Sequence, residues 1–204
     1  HAITISILEV SKNINMSFNN LGLSAELRKS IEEKGYDEPS DIQLQAIPSI
    51  LEGNDIMAGA QTGTGKTAAF ALPILQRLQN DESKRRRVRV LVLVPTRELA
   101  SQVGDSFRDY GSNLRFKTST IFGGVNIRSQ IDKLRKGVDI VVATPGRLLD
   151  HLNQRTLDLS ELEVFVLDEA DRMLDMGFIR DIKKVLKYLP KKKQNLLFSA
   201  TFPK

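Results

Sequence analysis

Val164-Phe165-Val166-Leu167-Asp168-Glu169-Ala170-Asp171 is an apolar run that ends in a cluster of carboxylates. A short apolar run of this kind reads as a buried strand. A buried strand with acids at its carboxyl end can present them to a nucleotide-bound magnesium ion. The same cluster can equally be a solvated loop, so the reading needs a second element. Far upstream, Ala60-Gln61-Thr62-Gly63-Thr64-Gly65-Lys66-Thr67 supplies it. This stretch departs from the strict phosphate-loop pattern at Ala60, where Gly is expected. Its Gly65-Lys66-Thr67 core is intact, and Ile56-Met57-Ala58 ahead of it reads as the strand such a loop follows. Closely spaced glycines weaken a helix start unless backbone must approach something there. Together the two segments imply a nucleotide-phosphate site.

At 204 residues the chain suits one domain with a single large core. The 41% hydrophobic content supports a packed globule, and no apolar run reaches the length of a membrane span. The absence of cysteine excludes disulfides and cysteine-ligated metal, which fits a reducing, cytoplasmic setting. With only His1 and His151, a histidine-rich zinc site is excluded as well. Magnesium, held by oxygen ligands, stays open. A net charge of +5 leans toward a polyanionic partner. Much of the excess sits in Lys84-Arg85-Arg86-Arg87 and Lys191-Lys192-Lys193, which read as solvated loops between a helix and a strand. They locate no groove.

Residues 1–15 are set apart as an artificial leader or disordered tail. Met16-Ser17-Phe18 resembles a natural start and His1-Ala2 the remnant of an affinity tag. The apolar stretch 3–10 lacks the basic leader and cleavage site of a secretory signal. Residues 16–204 are then one domain.

From Asp55 onward β-branched runs alternate with helical patterns. Strands are expected at 56–58, 88–94, 118–122, 139–143, 164–167 and 195–199. Helices are expected at 66–78, 97–110, 127–135, 146–154 and 178–189, with two more ahead of the sheet at 25–34, capped by Ser24, and 42–51. Continuous apolar strands such as Val90-Leu91-Val92-Leu93-Val94 imply burial on both faces. The fold expected is α/β, a parallel β-sheet covered by helices on both faces. Right-handed crossovers put every strand's carboxyl end on one edge, where such sheets bind ligands. Pro95-Thr96-Arg97-Glu98-Leu99-Ala100, Gly123-Gly124 and Thr144-Pro145-Gly146-Arg147 all fall on that edge. Thr96 and Thr144 can cap the helices that follow, and Pro145 suits a first helical position. A helix start with free N–H groups and an Arg is a phosphate site. One alone is ordinary capping. Several together, outside the nucleotide pocket, suggest a nucleic-acid backbone laid across the sheet edge.

These segments together resemble the DEAD-box family of superfamily-two RNA helicases, over nearly all of residues 18–204. The match rests on AQTGTGKT at 60–67, PTRELA at 95–100, GG at 123–124, TPGR at 144–147, DEAD at 168–171 and SAT at 199–201. Ala60 fits this family's own phosphate loop. Gly35-Tyr36-Asp37-Glu38-Pro39-Ser40-Asp41-Ile42-Gln43 resembles its adenine-reading Q motif, with Phe18 as the upstream aromatic and Asp41 where Pro is more usual. The segments 172–189 and 195–201 resemble the bacterial RhlE-like branch most.

The resemblance implies the amino-terminal RecA-like domain of an RNA-dependent ATPase, with ATP and Mg2+ as cofactors and RNA as partner. Backbone N–H groups of Thr62–Lys66 (with Gly63, Thr64 and Gly65 between) would cradle phosphates, after Ala60 and Gln61. Lys66 would neutralise β/γ oxygens, and Thr67 and Asp168 would hold magnesium. Glu169 would orient or deprotonate the attacking water. Gln43 would read adenine with Tyr36 as a stacking face. Asp171, Ser199 and Thr201 would couple this site to the RNA edge, formed by Pro95, Thr96, Arg97, Gly123, Gly124, Thr144, Pro145, Gly146 and Arg147. The family works with two tandem RecA-like domains, and the second, carboxy-terminal one has no counterpart in these residues. A nucleotide-gated RNA clamp, or a DNA-directed helicase, would use the same residues. The particular RNA is not readable from the chain.

Overall fold

The structure is a computed structural model that describes residues 2–5, 17–81 and 86–202. Its centre is a seven-stranded sheet, parallel throughout. In chain order the strands are β1 (Ile3–Ile5), β2 (Ile56–Gly59), β3 (Val90–Leu93), β4 (Thr118–Ile121), β5 (Ile140–Ala143), β6 (Val164–Leu167) and β7 (Gln194–Ser199). Their order across the sheet is β1-β2-β7-β6-β3-β5-β4. Among the described residues eight α-helices accompany them: α1 (Ala25–Glu33), α2 (Asp41–Leu51), α3 (Lys66–Asn80), α4 (Arg97–Tyr110), α5 (Ile127–Arg135), α6 (Pro145–Asn153), α7 (Ala170–Asp175) and α8 (Ile179–Leu186). A 3-10 turn covers Phe18–Asn20.

The apolar strands explain the two-faced cover. Every residue of β3 and β5 is buried, and alternate side chains go to opposite faces. Val90 and Val92 join one core with Phe70, Phe107 and Phe198; Leu91 and Leu93 join a second with Leu148, Phe165 and Val185. Among the described residues no helix is long and apolar enough to cross a membrane.

Registers align the strand ends. Gly59 pairs with Ser199, Leu167 with Leu197 and Leu93, and Ala143 with Leu93 and Ile121. The loops that follow β2, β6 and β7 therefore share one half of the carboxyl edge, and those after β3, β5 and β4 share the other. The strand order sorts the motifs into two groups.

Two features differ from what the residue pattern predicts. Ile3–Ile5, inside the segment set apart as a leader, pairs in parallel with β2 as an edge strand; residues 6–16 lie outside the described part. The helix expected at 178–189 is the shorter α8, preceded by α7, whose six residues are too few to show a period. The described basic residues, Arg86 and Arg87 ahead of β3 and Lys191, Lys192 and Lys193 ahead of β7, lie between a helix and a strand as expected, on the amino edge of the sheet. There Arg86 Nη1 pairs with Asp139 Oδ2 at 2.6 Å. Lys84 and Arg85 lie outside the described residues.

Candidate active site and nucleic-acid edge

The phosphate loop leaves β2 at Ala60, whose N–H donates to Ser199 O at 3.0 Å. Gly63 and Gly65 both take positive φ, +83° and +79°, conformations that a side chain strains. Gly65 has a second reason: a Cβ there would come within 2.5 Å of Gln43 Nε2 and 2.9 Å of Ser40 Oγ. Thr64 Oγ1 closes the turn by donating to Gln61 O at 2.7 Å. Lys66 then starts α3, so free helical N–H groups face the loop's concavity.

Lys66 is buried and its ammonium reaches the acids. Nζ lies 2.9 Å from Asp168 Oδ1 and 3.9 Å from Glu169 Oε1. Asp168 is fully buried, and neither carboxylate oxygen has a donor in good hydrogen-bond alignment. Burial pushes the Asp168 carboxyl up, against the pull of the Lys66 ammonium. With Lys66 against Oδ1, the buried carboxylate keeps Oδ2 without a partner among the described residues, the kind of donor a divalent cation fits. Glu169 stands at the N-cap position of α7 without a capping bond from its side chain, with φ +54°, an uncommon conformation for a residue with a side chain. Its carboxylate takes a hydrogen bond from Arg172 Nη1 at 3.2 Å. A cavity of about 210 Å3 opens between these groups, lined by Ala60, Thr62, Lys66, Glu169, Asp171 and Arg172. Thr67, half-buried at the first turn of α3, carries a hydroxyl beside Lys66.

The Q-motif residues are split by the fold. Gln43 is buried. Its Oε1 accepts from Ser40 N–H at 3.0 Å and its Nε2 donates to Gly65 O at 3.1 Å. An amide has two donor hydrogens and two acceptor sites, so one of each is left over. Tyr36 is half-exposed and faces Tyr110 of α4, whose hydroxyl is pushed up by burial and by Tyr36. Among the described residues it shares no hydrogen bond with Gln43. Phe18 is packed in the core, 7% exposed, so its place is beneath the surface.

Asp171 meets both expected partners, in different ways. Thr201 donates to Asp171 Oδ2 from its hydroxyl at 3.1 Å and its N–H at 3.2 Å. Ser199 Oγ instead accepts from the Asp171 backbone N–H at 3.2 Å and donates to Thr201 O. Slight burial raises the Asp171 carboxyl, but the Thr201, Arg172 and Ser199 bonds outweigh it and hold the group below the usual carboxylate range.

On the other half of the edge, Thr96 caps α4 by accepting from Leu99 N–H at 3.2 Å. Thr144 stands at the same place on α6 but makes no capping bond, which leaves its hydroxyl open. Pro95 and Pro145 are buried, while Arg97, Gly124 and Gly146 are exposed. Arg97 lies over the Phe122 ring, 5.4 Å from its centroid. Gly124 has φ +81°, and a Cβ there would meet Arg97 Nη1 at 2.8 Å. Arg147 is 14% exposed, and its Nη1 donates to Val125 O at 3.0 Å and Gln130 Oε1 at 3.2 Å. Gln130 and His151, both buried beneath these loops, carry no motif signal. A lone polar residue on the inner face of α5 or α6 is their only trace in the sequence.

The chain is similar to characterised proteins over most of its length. It is 49% identical over 187 residues to the DEAD-box ATP-dependent RNA helicase RhpA of Helicobacter pylori, which covers 92% of this chain and 37% of that protein. The DEAD-box ATP-dependent RNA helicase CshA of Bacillus cereus is also 49% identical, covering 92% of this chain and 35% of its own. The chain thus spans about a third of the length of these relatives. The crystal structure of a DEAD box protein from the hyperthermophile Methanococcus jannaschii superposes with a TM-score of 0.86 at 46% identity, over 92% of this chain and 51% of that one. The DEAD/DEAH box helicase family model matches residues 40–204, and the chain belongs to that family.

Proposed function

We propose that this chain is the ATP-binding domain of an ATP-dependent RNA helicase, which couples ATP binding and hydrolysis to RNA binding and local strand separation. One observation carries the reading most. Lys66 and Glu169 line one cavity across β7, and the Lys66 ammonium pairs with the Asp168 carboxylate buried behind it, while Asp171 in the same cavity is bonded to Thr201 just beyond that strand.

The chemistry follows from these positions. Backbone N–H groups of Thr62–Lys66 cradle the β- and γ-phosphates of ATP. Lys66, whose ammonium lies beside both carboxylates, turns its Nζ toward phosphate oxygen when ATP binds. Thr67 and Asp168 are the residues that would hold magnesium; when bound, the ion neutralises charge on the phosphate oxygens. Glu169, partly open to the cavity, orients the attacking water and takes its proton. The Asp171–Thr201 bonds respond to any shift of the acids. Arg97, Thr144 and the exposed glycines receive an RNA backbone at the far half of the edge, with Arg147 held partly inside.

The test is strand displacement by the intact helicase on RNA and DNA duplexes in parallel. RNA-selective, ATP-dependent separation is expected. Equal action on both duplexes would make the enzyme DNA-capable, and ATP-gated binding without separation would make it a clamp.

Gln43 gives a separate prediction. Its spare acceptor and donor complement the N6 and N7 edge of adenine and mismatch guanine, and an unpaired group in such a pocket costs roughly 1–3 kcal/mol. ATP should bind more tightly than GTP, and Gln43→Ala should weaken ATP and narrow the difference. Because Gln43 also holds Gly65 O, part of the loss should appear for both nucleotides. Titrations giving equal ATP and GTP affinities for the parent would remove the adenine-reading role.

A further inference from the structure

The Gly123-Gly124 turn and Arg147 come from different strand ends, and a buried polar network joins them. Gln130 of α5 is 5% exposed. Its Nε2 donates to Phe122 O at 2.9 Å. Its Oε1 accepts from Arg147 Nη1 at 3.2 Å and stands 2.9 Å from His151 Nε2. A carbonyl oxygen only accepts, so His151 carries its proton on Nε2. Nδ1 then faces Thr156 Oγ1, 2.8 Å away, whose hydroxyl hydrogen is shared between Nδ1 and His151 O at 3.2 Å. Burial, then Arg147, holds the His151 pKa below the ordinary imidazole value, which favours this neutral form.

Each contact has a counterpart at the surface. Phe122, fixed at its carbonyl by Gln130, carries Arg97 on its ring. Val125, next to the glycine turn, is fixed by Arg147. Gln130 therefore lies beneath all three groups that face outward. A fully paired buried network has one low-energy arrangement, and here that arrangement fixes spacings between loops that no backbone ladder joins beyond Ile121 and Thr144.

We propose that Gln130 and His151 are positioning residues that preset the spacing of Arg97, the Gly123-Gly124 turn and Arg147 to successive phosphates of a single RNA strand. The proposal rests on the RNA reading above. Neither residue touches RNA. They act through Arg147 and Phe122, so their loss loosens RNA binding while leaving the ATP cavity, on the other half of the edge, unchanged.

The experiment is steady-state ATP hydrolysis by the intact helicase against increasing oligouridylate, with melting temperatures alongside. Gln130→Met keeps the volume and removes the bonds; His151→Phe does the same at the second residue and serves if the first variant fails to fold. The RNA midpoint should rise roughly tenfold, the size expected for a lost aligned hydrogen bond, with kcat at saturating RNA and KM for ATP unchanged. His151→Gln, which restores an N–H toward Gln130, should recover most of the midpoint. A lower melting temperature with an unchanged RNA midpoint in the folded variants would reduce the network to a core device and overturn the proposal. A parent enzyme that RNA does not stimulate would overturn this proposal and the RNA reading together.

Discussion

Glu169→Gln is expected to bind ATP nearly as the parent does and to lose turnover by about 10²–10⁴-fold, the range for removing a general base. Gln keeps the length of the side chain and an oxygen that can accept from Arg172, which now lies 3.2 Å from Glu169 Oε2. What it loses is the capacity to take a proton from water. An interaction made only in the transition state appears in kcat and leaves ground-state binding alone. Lys66→Ala should show the opposite pattern. Lys66 contacts phosphate in the ground state, and without it the fully buried Asp168 loses the cation 2.9 Å away. Its primary loss should be in nucleotide affinity. Nucleotide titration with RNA-stimulated phosphate release on both variants separates the two patterns, and Glu169→Gln should also retain RNA longer when ATP is present. Near-parental turnover in Glu169→Gln would remove Glu169 from the catalytic role.

The sequence made some parts of this molecule plain for physical reasons. β3 is legible because both faces are covered, so no polar residue interrupts Val90-Leu91-Val92-Leu93. Helices α4 and α5 match their expected limits, Arg97–Tyr110 and Ile127–Arg135. At α4 the chain itself marks the start, since Thr96 caps it. The paired acids and the phosphate loop were legible because their spacing is set by chemistry, not by packing. Strand order was not, because the insertion of β7 between β2 and β6 depends on contacts distant in sequence. That placement is what brings Thr201 to Asp171. Thr144 shows the limit of local rules: it has the residue type and position of a cap and makes no capping bond. Tyr36 shows another, since its neighbour Tyr110 comes from an element far along the chain. Gln130 and His151 were invisible for the same reason. A polar residue on a helix face is solvated or networked according to what packs over it.

The 204-residue polypeptide on its own is expected to release phosphate from ATP at a rate about 10³–10⁵ below that of a full-length DEAD-box helicase, the factor associated with an arginine finger. Among the described residues, Arg172 is the only arginine lining the cavity. It is tied to Glu169 and exposed, so it attends the catalytic carboxylate and not the transferring phosphoryl group. Arg97 and Arg147 belong to the far half of the edge, one over Phe122 and the other bonded to Val125 and Gln130. Neither lines the cavity, and those contacts hold both at the far half. RNA should bind the polypeptide loosely and with strong salt sensitivity, because few phosphates are met and counterion release is the main driving term. The measurement is steady-state phosphate release with saturating magnesium, with and without saturating RNA, beside a full-length relative. Robust RNA-stimulated turnover would mean that Arg172 leaves Glu169 to act on the γ-phosphate, or that a second copy of the chain lends an arginine. The first result would show the catalytic cavity of this domain to be complete, contrary to the geometry that ties Arg172 down; the second would show that a copy of the chain completes it.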